Sequence, residues 1–308
     1  MGTPALATGT LAGLSNDLAE AVARVSQAVV AIHGRRRIPS SGVVWGPGVV
    51  VTANHTLTRD EDLSLTLPDG GTGTASLAGR DPTTDIAVLR TESSLPPAER
   101  SPEANLQVGR VVLAVGRPGP AVTASLGIVS AVGGEWRTWQ GGRIDRFVRL
   151  DLSVYDGFSG GPLVEAGGRV LGINTSGLTR ALAIALPVTT VDRVVGELVK
   201  KGHVTRGYLG LAVQPVRLPE PMRRELGLGG TMGLVIINLE AGGPADQAGL
   251  LLGDIITGLE GNQVSDPSDI LSFLGPERVG EEANLRIVRA GQTRPVAITV
   301  GERPRKGR

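Results

Sequence analysis

The sequence predicts a mainly β protein, with antiparallel barrels in its first two thirds and a small α+β module in its last third. Three observations carry this. Glycine is plentiful, 45 of 308 residues, while Phe, Tyr and Trp together make only 3%, which suits many tight turns and aliphatic cores. From about residue 28 to residue 187, short Val/Ile/Leu runs alternate with turn residues, leaving little room for helices. A single clear helix follows, and beyond it the pattern changes.

Residues 1–14 are small and polar and read as a loose N-terminal segment. Asp17 and Glu20 have the spacing of a capping box for a short helix carrying Leu18, Val22 and Val25 on one face. Ala28 to Ile32 reads as a buried strand. Further strands are expected at Val43–Val44, Val49–Thr52, Leu63–Leu67, Ile86–Leu89, Val111–Val115, Ile128–Val132, Phe147–Leu152, Val170–Ile173 and Leu182–Leu186. Val191, Val194, Val195, Leu198 and Val199 repeat at helical spacing. Thr189 or Thr190 is the expected cap of that helix, Lys200 and Lys201 suit the negative end of its dipole, and Gly202 stops it. A boundary at 202–206 divides a first domain over 15–203 from a second over 204–303, with a basic tail over 304–308. In the second domain, strands are expected to begin at Arg206 and Gly253 and to cover Gly233–Leu239, Leu285–Val288 and Val296–Val300. Helices are expected at Asp246–Leu250 and after Asp266-Pro267, a favoured N-cap and N1 pair.

Composition excludes several function classes. Lys and Arg number 31 against 30 Asp and Glu, a net charge of +1, so no bulk field draws the chain to nucleic acid or an anionic membrane. Cysteine is absent, which removes disulfides, thiolate metal sites and cysteine nucleophiles. The three histidines are dispersed and no carboxylate set has metal-ligand spacing, so neither metal nor cofactor is expected. No uncharged apolar run is long enough to span a membrane. Met1 to Ala7 lacks a basic start and a sustained apolar segment, which reads as a cytoplasmic chain, or an exported or periplasmic one if a leader was removed.

The chemistry centres on Asp156-Gly157-Phe158-Ser159-Gly160-Gly161-Pro162-Leu163. Glycines flanking a serine allow a tight turn and bring backbone N–H groups close to whatever the hydroxyl attacks. A glycine-rich turn alone is common, so the reading depends on a base and an acid elsewhere. His33 ends a strand beside Arg35-Arg36-Arg37 and reads as a packing or surface residue; His203 follows the helix stop. His55 differs, because it follows the apolar strand Val49–Thr52 where a loop begins. Asp85 stands immediately before the apolar run Ile86–Leu89. A serine hydroxyl needs a base to take its proton, and an imidazole needs a carboxylate to fix its tautomer. The chain order His, Asp, Ser is that of double-barrel serine proteases; an α/β-hydrolase esterase would require Ser before Asp before His.

Thr52-Ala53-Asn54-His55, Asp81-Pro82-Thr83-Thr84-Asp85-Ile86-Ala87-Val88-Leu89, Gly157 to Leu163, Leu171-Gly172-Ile173-Asn174-Thr175 and Arg206-Gly207-Tyr208-Leu209-Gly210 together resemble the HtrA (Deg) family of serine proteases. The likeness runs from about residue 20 to residue 301, and the last module resembles a single PDZ domain. The resemblance implies a two-barrel chymotrypsin-like domain and an ATP-independent endopeptidase for unfolded or exposed polypeptide, in protein quality control. It implies His55 as base, Asp85 as its orienter, Ser159 as nucleophile, and the N–H groups of Gly157 and Ser159 as oxyanion hole. Thr175, Ser176 and Gly177 would be the strand edge that pairs with substrate. Ser153, six residues before the nucleophile, would lie at the base of the primary specificity pocket, with Leu182, Ala183 and Ile184 as neighbours. A serine there supplies no carboxylate for a basic side chain, so cleavage after small or medium aliphatic residues is expected. In the PDZ module, Tyr208, Leu209, Gly210 and Leu211 would offer N–H groups to a peptide C-terminus, beside a groove under the helix at Ile270.

The sequence departs from the family at Phe158, where Asn is usual, and in Tyr155 and Asp156. This suggests a loop ordered by substrate or by peptide binding at the PDZ module. The resemblance also implies a homotrimer, although residues 1–30 lack the aromatic residue that usually supports it. The alternative function is a silent peptide-binding scaffold.

Overall fold

The computed structural model describes residues 8–101, 106–179 and 182–304. It divides into two units, Met1–Val204 and Thr205–Arg308. In the first unit, helix α1 (Thr8–Ser26) precedes β1 (Val29–His33), β2 (Ser40–Gly46), β3 (Val49–Ala53), β4 (Leu63–Thr66), β5 (Thr72–Asp81) and β6 (Ile86–Arg90). These strands close a barrel in the order β1-β2-β3-β6-β5-β4. The second barrel uses β7 (Val111–Gly116), β8 (Thr123–Val132), β11 (Val148–Asp151), β12 (Pro162–Glu165), β13 (Val170–Thr175) and β14 (Ala183–Pro187). Its order is β11-β14-β13-β12-β7-β8, and the small hairpin of β9 (Trp136–Arg137) and β10 (Arg143–Ile144) leaves it between β8 and β11.

Continuous apolar runs, buried along almost their whole length, explain most of these strands, and only β4 and β11 alternate between buried and more exposed positions. The inward side chains of the first barrel, among them Ile32, Val50, Leu65 and Leu89, are fully buried, each worth roughly 1.5–3 kcal/mol of transfer free energy. Two strands carry no such signal. Thr72-Gly73-Thr74-Ala75-Ser76 opens β5 with small, partly exposed residues, and β12 holds only four residues. Both are recruited by pairing with neighbours already in place.

Both helices of this unit begin elsewhere than their spacing suggests. α1 starts at Thr8, so residues 8–14 are helical and Asp17 lies in the helix interior, where it cannot cap. Leu11 and Leu14 are 77% and 47% exposed, so burial does not account for the extra turns, and the two glycines and two threonines there do not favour them. The rest of the segment read as loose, residues 1–7, lies outside the described residues. α2 (Val188–Lys201) starts one residue after Pro187 with no side-chain cap. Thr190 instead sends its hydroxyl to Asp145 Oδ2 at 3.0 Å, a long-range bond that outcompetes capping. Gly202 ends α2 at φ +76 and donates to the Leu198 carbonyl at 2.9 Å.

The second unit contains β15 (Gly207–Tyr208), β16 (Leu211–Arg217), α3 (Glu220–Glu225), β17 (Met232–Leu239), α4 (Pro244–Gln247), β18 (Ile255–Leu259), β19 (Asn262–Gln263), α5 (Pro267–Phe273), β20 (Glu282–Arg289), β21 (Gln292–Thr299) and β22 (Gly301–Glu302). The main sheet has the order β16-β17-β18-β20-β21, so β16 is an edge. Asp266 caps α5 through a capping box with Asp269. Helix α4 begins earlier than Asp246 because Pro244 occupies its first turn. Within this unit, the Asp254 carboxylate, 1% exposed, accepts from Arg289 Nε at 2.7 Å and Nη2 at 2.6 Å and from the Leu251 N–H at 2.8 Å. Burial alone would push its pKa up. The Arg289 hydrogen bonds, the Leu251 N–H and the charges of Arg289 and Arg294 outweigh that and hold it below the usual carboxylate value. Of the basic tail, 305–308 lies outside the described residues.

Candidate active site

Register brings His55 and Asp85 together. β3 and β6 run antiparallel with Ala53 opposite Ile86, so the Asn54 N–H donates to the Asp85 carbonyl at 3.0 Å and His55, one residue on, lies beside the Asp85 side chain. His55 sits in a short 3₁₀ turn, Asn54–Thr56. Its Nδ1–H donates to Asp85 Oδ2 at 2.8 Å and its backbone N–H donates to Asp85 Oδ1 at 2.8 Å. One carboxylate therefore fixes both the ring and the main chain, leaving Nε2 as the ring nitrogen able to take a proton.

Asp85 adopts φ +59, a left-handed conformation uncommon for a side-chain-bearing residue. A second, buried carboxylate holds that turn. Asp81 Oδ1 accepts from the Thr83 N–H at 3.2 Å and its hydroxyl at 2.7 Å, and Oδ2 accepts from the Thr84 hydroxyl at 2.7 Å. Thr138, in the β9–β10 hairpin, donates to the Thr83 carbonyl at 2.8 Å.

The second barrel supplies the candidate nucleophile, Ser159. Asn174 in β13 ties down the turn after Ser159. Its carbonyl accepts from Gly160 N–H at 2.9 Å, and its side-chain amide donates to the carbonyls of Pro162 at 2.8 Å and Gly161 at 3.2 Å. Ser159, 6% exposed, has its hydroxyl 3.1 Å from the Ser176 hydroxyl and accepts from the Ser176 N–H at 3.4 Å. Among the described residues, the N–H groups of Gly157 and Ser159 have no acceptor within the chain. One belongs to the serine itself and the other to the residue two before it, the two donors expected to receive an oxyanion.

Thr175 has a different place from the one its position suggests. Its side chain is buried and its hydroxyl donates to Asp85 Oδ2, while accepting from Gly177 N–H at 2.9 Å. A Cβ on Gly177 would lie 2.5 Å from His55 Nδ1 and 2.7 Å from Asp85 Oδ2, so only glycine lets this strand lie against the pair. Phe158 is fully buried. Its ring stacks edge-on against Tyr155 with centroids 5.3 Å apart and fills the space above Gly116, where an added Cβ would meet it at 2.7 Å.

The remaining candidates are dispersed. Ser153 is exposed just beyond the end of β11, whose Leu150 lies opposite Ala183. Leu182 is 42% exposed and Ile184 is buried at 1%. In the second unit, Gly210 has φ +73 and its carbonyl accepts from Glu240 N–H at 2.8 Å. Leu209 is buried, whereas Tyr208 and Leu211 are half-buried beside the edge strand β16. Ile270 is 4% exposed and belongs to the core of this unit. Sequence reasoning missed the parts played by Asp81, Thr138 and Asn174. Only Asp81 had a local signal, its spacing to Thr83 and Thr84 being that of an Asx turn.

Two closed barrels, one giving a His–Asp pair and the other a buried serine in a glycine-rich turn, define a trypsin-like peptidase domain. Residues 40–173 match the trypsin-like peptidase domain family, and residues 207–300 match the PDZ domain family. The probable periplasmic serine endoprotease DegP-like of Brucella suis biovar 1 (strain 1330) is 36% identical over 285 residues, covering 88% of this chain and 54% of the relative. The chain thus spans about half the length of the curated relatives it matches. The solved structure of an HtrA-type protease AlgW with tripeptide is 32% identical, has a TM-score of 0.71, and covers 94% of this chain and 98% of its own. A serine endoprotease from Yersinia pestis is 28% identical with a TM-score of 0.73, over 93% and 98%. The chain belongs to the HtrA family of serine proteases, with a trypsin-like peptidase domain and one PDZ domain. Among the described residues, no helix is long and apolar enough to cross a membrane.

Proposed function

We propose that this chain is an ATP-independent serine endopeptidase acting on unfolded or extended polypeptide. The observation that carries the reading is the doubly bonded His55–Asp85 pair. In this mechanism the Ser159 hydroxyl turns from Ser176 towards His55; catalytic hydrogen bonds often tighten only when substrate is bound. His55 Nε2 takes the hydroxyl proton as Ser159 Oγ bonds to the scissile carbonyl carbon. Asp85 stabilises the imidazolium, and the N–H groups of Gly157 and Ser159 receive the oxyanion. The proton passes to the leaving amine, and water then cleaves the acyl-enzyme by the same steps.

Ser176 and Gly177 would pair with an extended substrate backbone, and Thr175 would act through Asp85. The exposed Ser153 offers no carboxylate, which supports cleavage after small or medium aliphatic residues, with Leu182, Ala183 and Ile184 near that pocket. The PDZ unit would add a peptide C-terminus along the edge strand β16, its carboxylate at Tyr208 to Leu211, and such binding would regulate cleavage. The relatives are named periplasmic, which favours an exported compartment over the cytoplasm; a homotrimer is the proposed assembly. Fluorophosphonate labelling and casein cleavage test the reading. Both are expected in the wild type and absent in Ser159→Ala; labelling that survives in Ser159→Ala would refute the assignment of the nucleophile.

A further inference from the structure

The oxyanion loop is held from the other barrel by one side chain. Ser41 lies in β2 of the first barrel and is fully buried. Its hydroxyl donates to the Gly157 carbonyl at 2.6 Å and accepts from the Arg117 backbone N–H at 2.7 Å. Its own backbone N–H donates to the Ser159 carbonyl at 3.3 Å, and its carbonyl accepts from the Thr52 hydroxyl at 2.7 Å. Ser41 thus grips the main chain on both sides of Phe158. The loop has been shaped to admit it: a Cβ on Gly160 would stand 2.2 Å from the Ser41 carbonyl oxygen, and one on Gly161 would stand 3.1 Å from Ser41 Cβ.

The far side of the grip is equally anchored. Arg117 is 4% exposed, and its guanidinium donates only to carbonyls: Val29 at 2.7 Å, Pro120 at 2.7 Å and Ser26 at 3.2 Å. Those carbonyls belong to the C-terminal end of α1, to β1 and to the loop after β7. Fixing the Gly157 carbonyl sets the rotation of the Gly157–Phe158 peptide, which lies between the two N–H donors. Orientation of such donors before reaction is the source of their effect, because no reorganisation is then needed as charge develops.

We infer that Ser41 is a positioning residue for the oxyanion hole, transmitting the placement of Arg117 and the first barrel to the N–H groups of Gly157 and Ser159. The inference rests on the peptidase reading. The test is Ser41→Ala, which keeps the Cβ that packs against Gly161 and removes only the hydroxyl. Peptide hydrolysis, binding of a peptidyl boronic acid and thermal unfolding would be measured on the full chain. A loss of placement costs about tenfold to a hundredfold in kcat, with KM within twofold and boronate affinity falling in step with kcat. A merely structural role would lower the melting temperature without that matched loss. Thr52→Val weakens the grip from its other side and is expected to lower kcat severalfold at unchanged KM, which decides the matter should Ser41→Ala fail to fold. An active wild type with kcat unchanged in a folded Ser41→Ala, or in Thr52→Val if that variant must stand in, overturns the inference alone. A wild type that neither cleaves nor labels overturns the peptidase reading and this inference with it.

Discussion

Replacing Asp85 by Asn tests the reading with least change in shape. The carboxylate accepts three hydrogen bonds: His55 N–H on Oδ1, and His55 Nδ1–H and the Thr175 hydroxyl on Oδ2. An amide cannot accept on both sides. If its NH₂ faces the His55 main chain, two donors meet across 2.8 Å. The opposite orientation keeps that bond, but sets the NH₂ against Nδ1, forcing Nδ1 to accept and moving the ring proton to Nε2. The ring nitrogen facing the nucleophile would then be unable to take its proton. Loss of this tautomer lowers kcat about 10⁴-fold in enzymes with such a triad, equivalent to about 5 kcal/mol of transition-state stabilisation. The assay is kcat and KM on a fluorogenic peptide or casein, with thermal unfolding as a control for folding. A loss of less than tenfold in a folded Asp85→Asn would refute the argument that Asp85 fixes the base.

Four further outcomes follow from the geometry. Gly177→Ala requires no change of backbone region but places a methyl 2.5 Å from His55 Nδ1; a loss of at least tenfold in fluorophosphonate labelling rate is expected, and wild-type labelling would refute the contact. Phe158→Ala empties a fully buried site and should destabilise the chain by about 3–5 kcal/mol in denaturant unfolding; a change below 1 kcal/mol would mean that the ring does not anchor the loop. In the second unit, Asp254 has a depressed pKa, so its contribution is complete above the ordinary unfolded carboxylate value and lost as pH falls through the lower folded one. Thermal unfolding from pH 7 to pH 2 should show this loss. Arg289→Ala, which strands a carboxylate 1% exposed, should cost about 3–5 kcal/mol at neutral pH and weaken the acid dependence; a melting curve like the wild type's at both pH extremes would refute the pairing.

Much of the fold was legible because its signals are local. The apolar runs of β3 and β6, the helical spacing of Val191 to Leu198, the Gly202 stop and the Asp266-Pro267 start all depend on residues within a few positions of each other. Strand β5 and the early start of α1 were not legible, since β5 is set by its pairing partners and the first turns of α1 run through residues that carry no helical signal of their own. At the site, His55, Asp85 and Ser159 could be proposed as base, orienter and nucleophile from residue type, neighbours and chain order. What surrounds them could not.

The sequence by itself therefore determined the family to which the chain belongs and singled out the groups proposed to react. The tertiary structure alone decided that Thr175 bonds to an acid 90 residues before it, that Gly177 lies against the His–Asp pair, and that Ser41 holds a loop 116 residues away. The physical reason is the same in each case. These contacts arise only when barrel closure sets strand register and brings distant main chains within hydrogen-bond reach, and no local pattern of side chains encodes that distance.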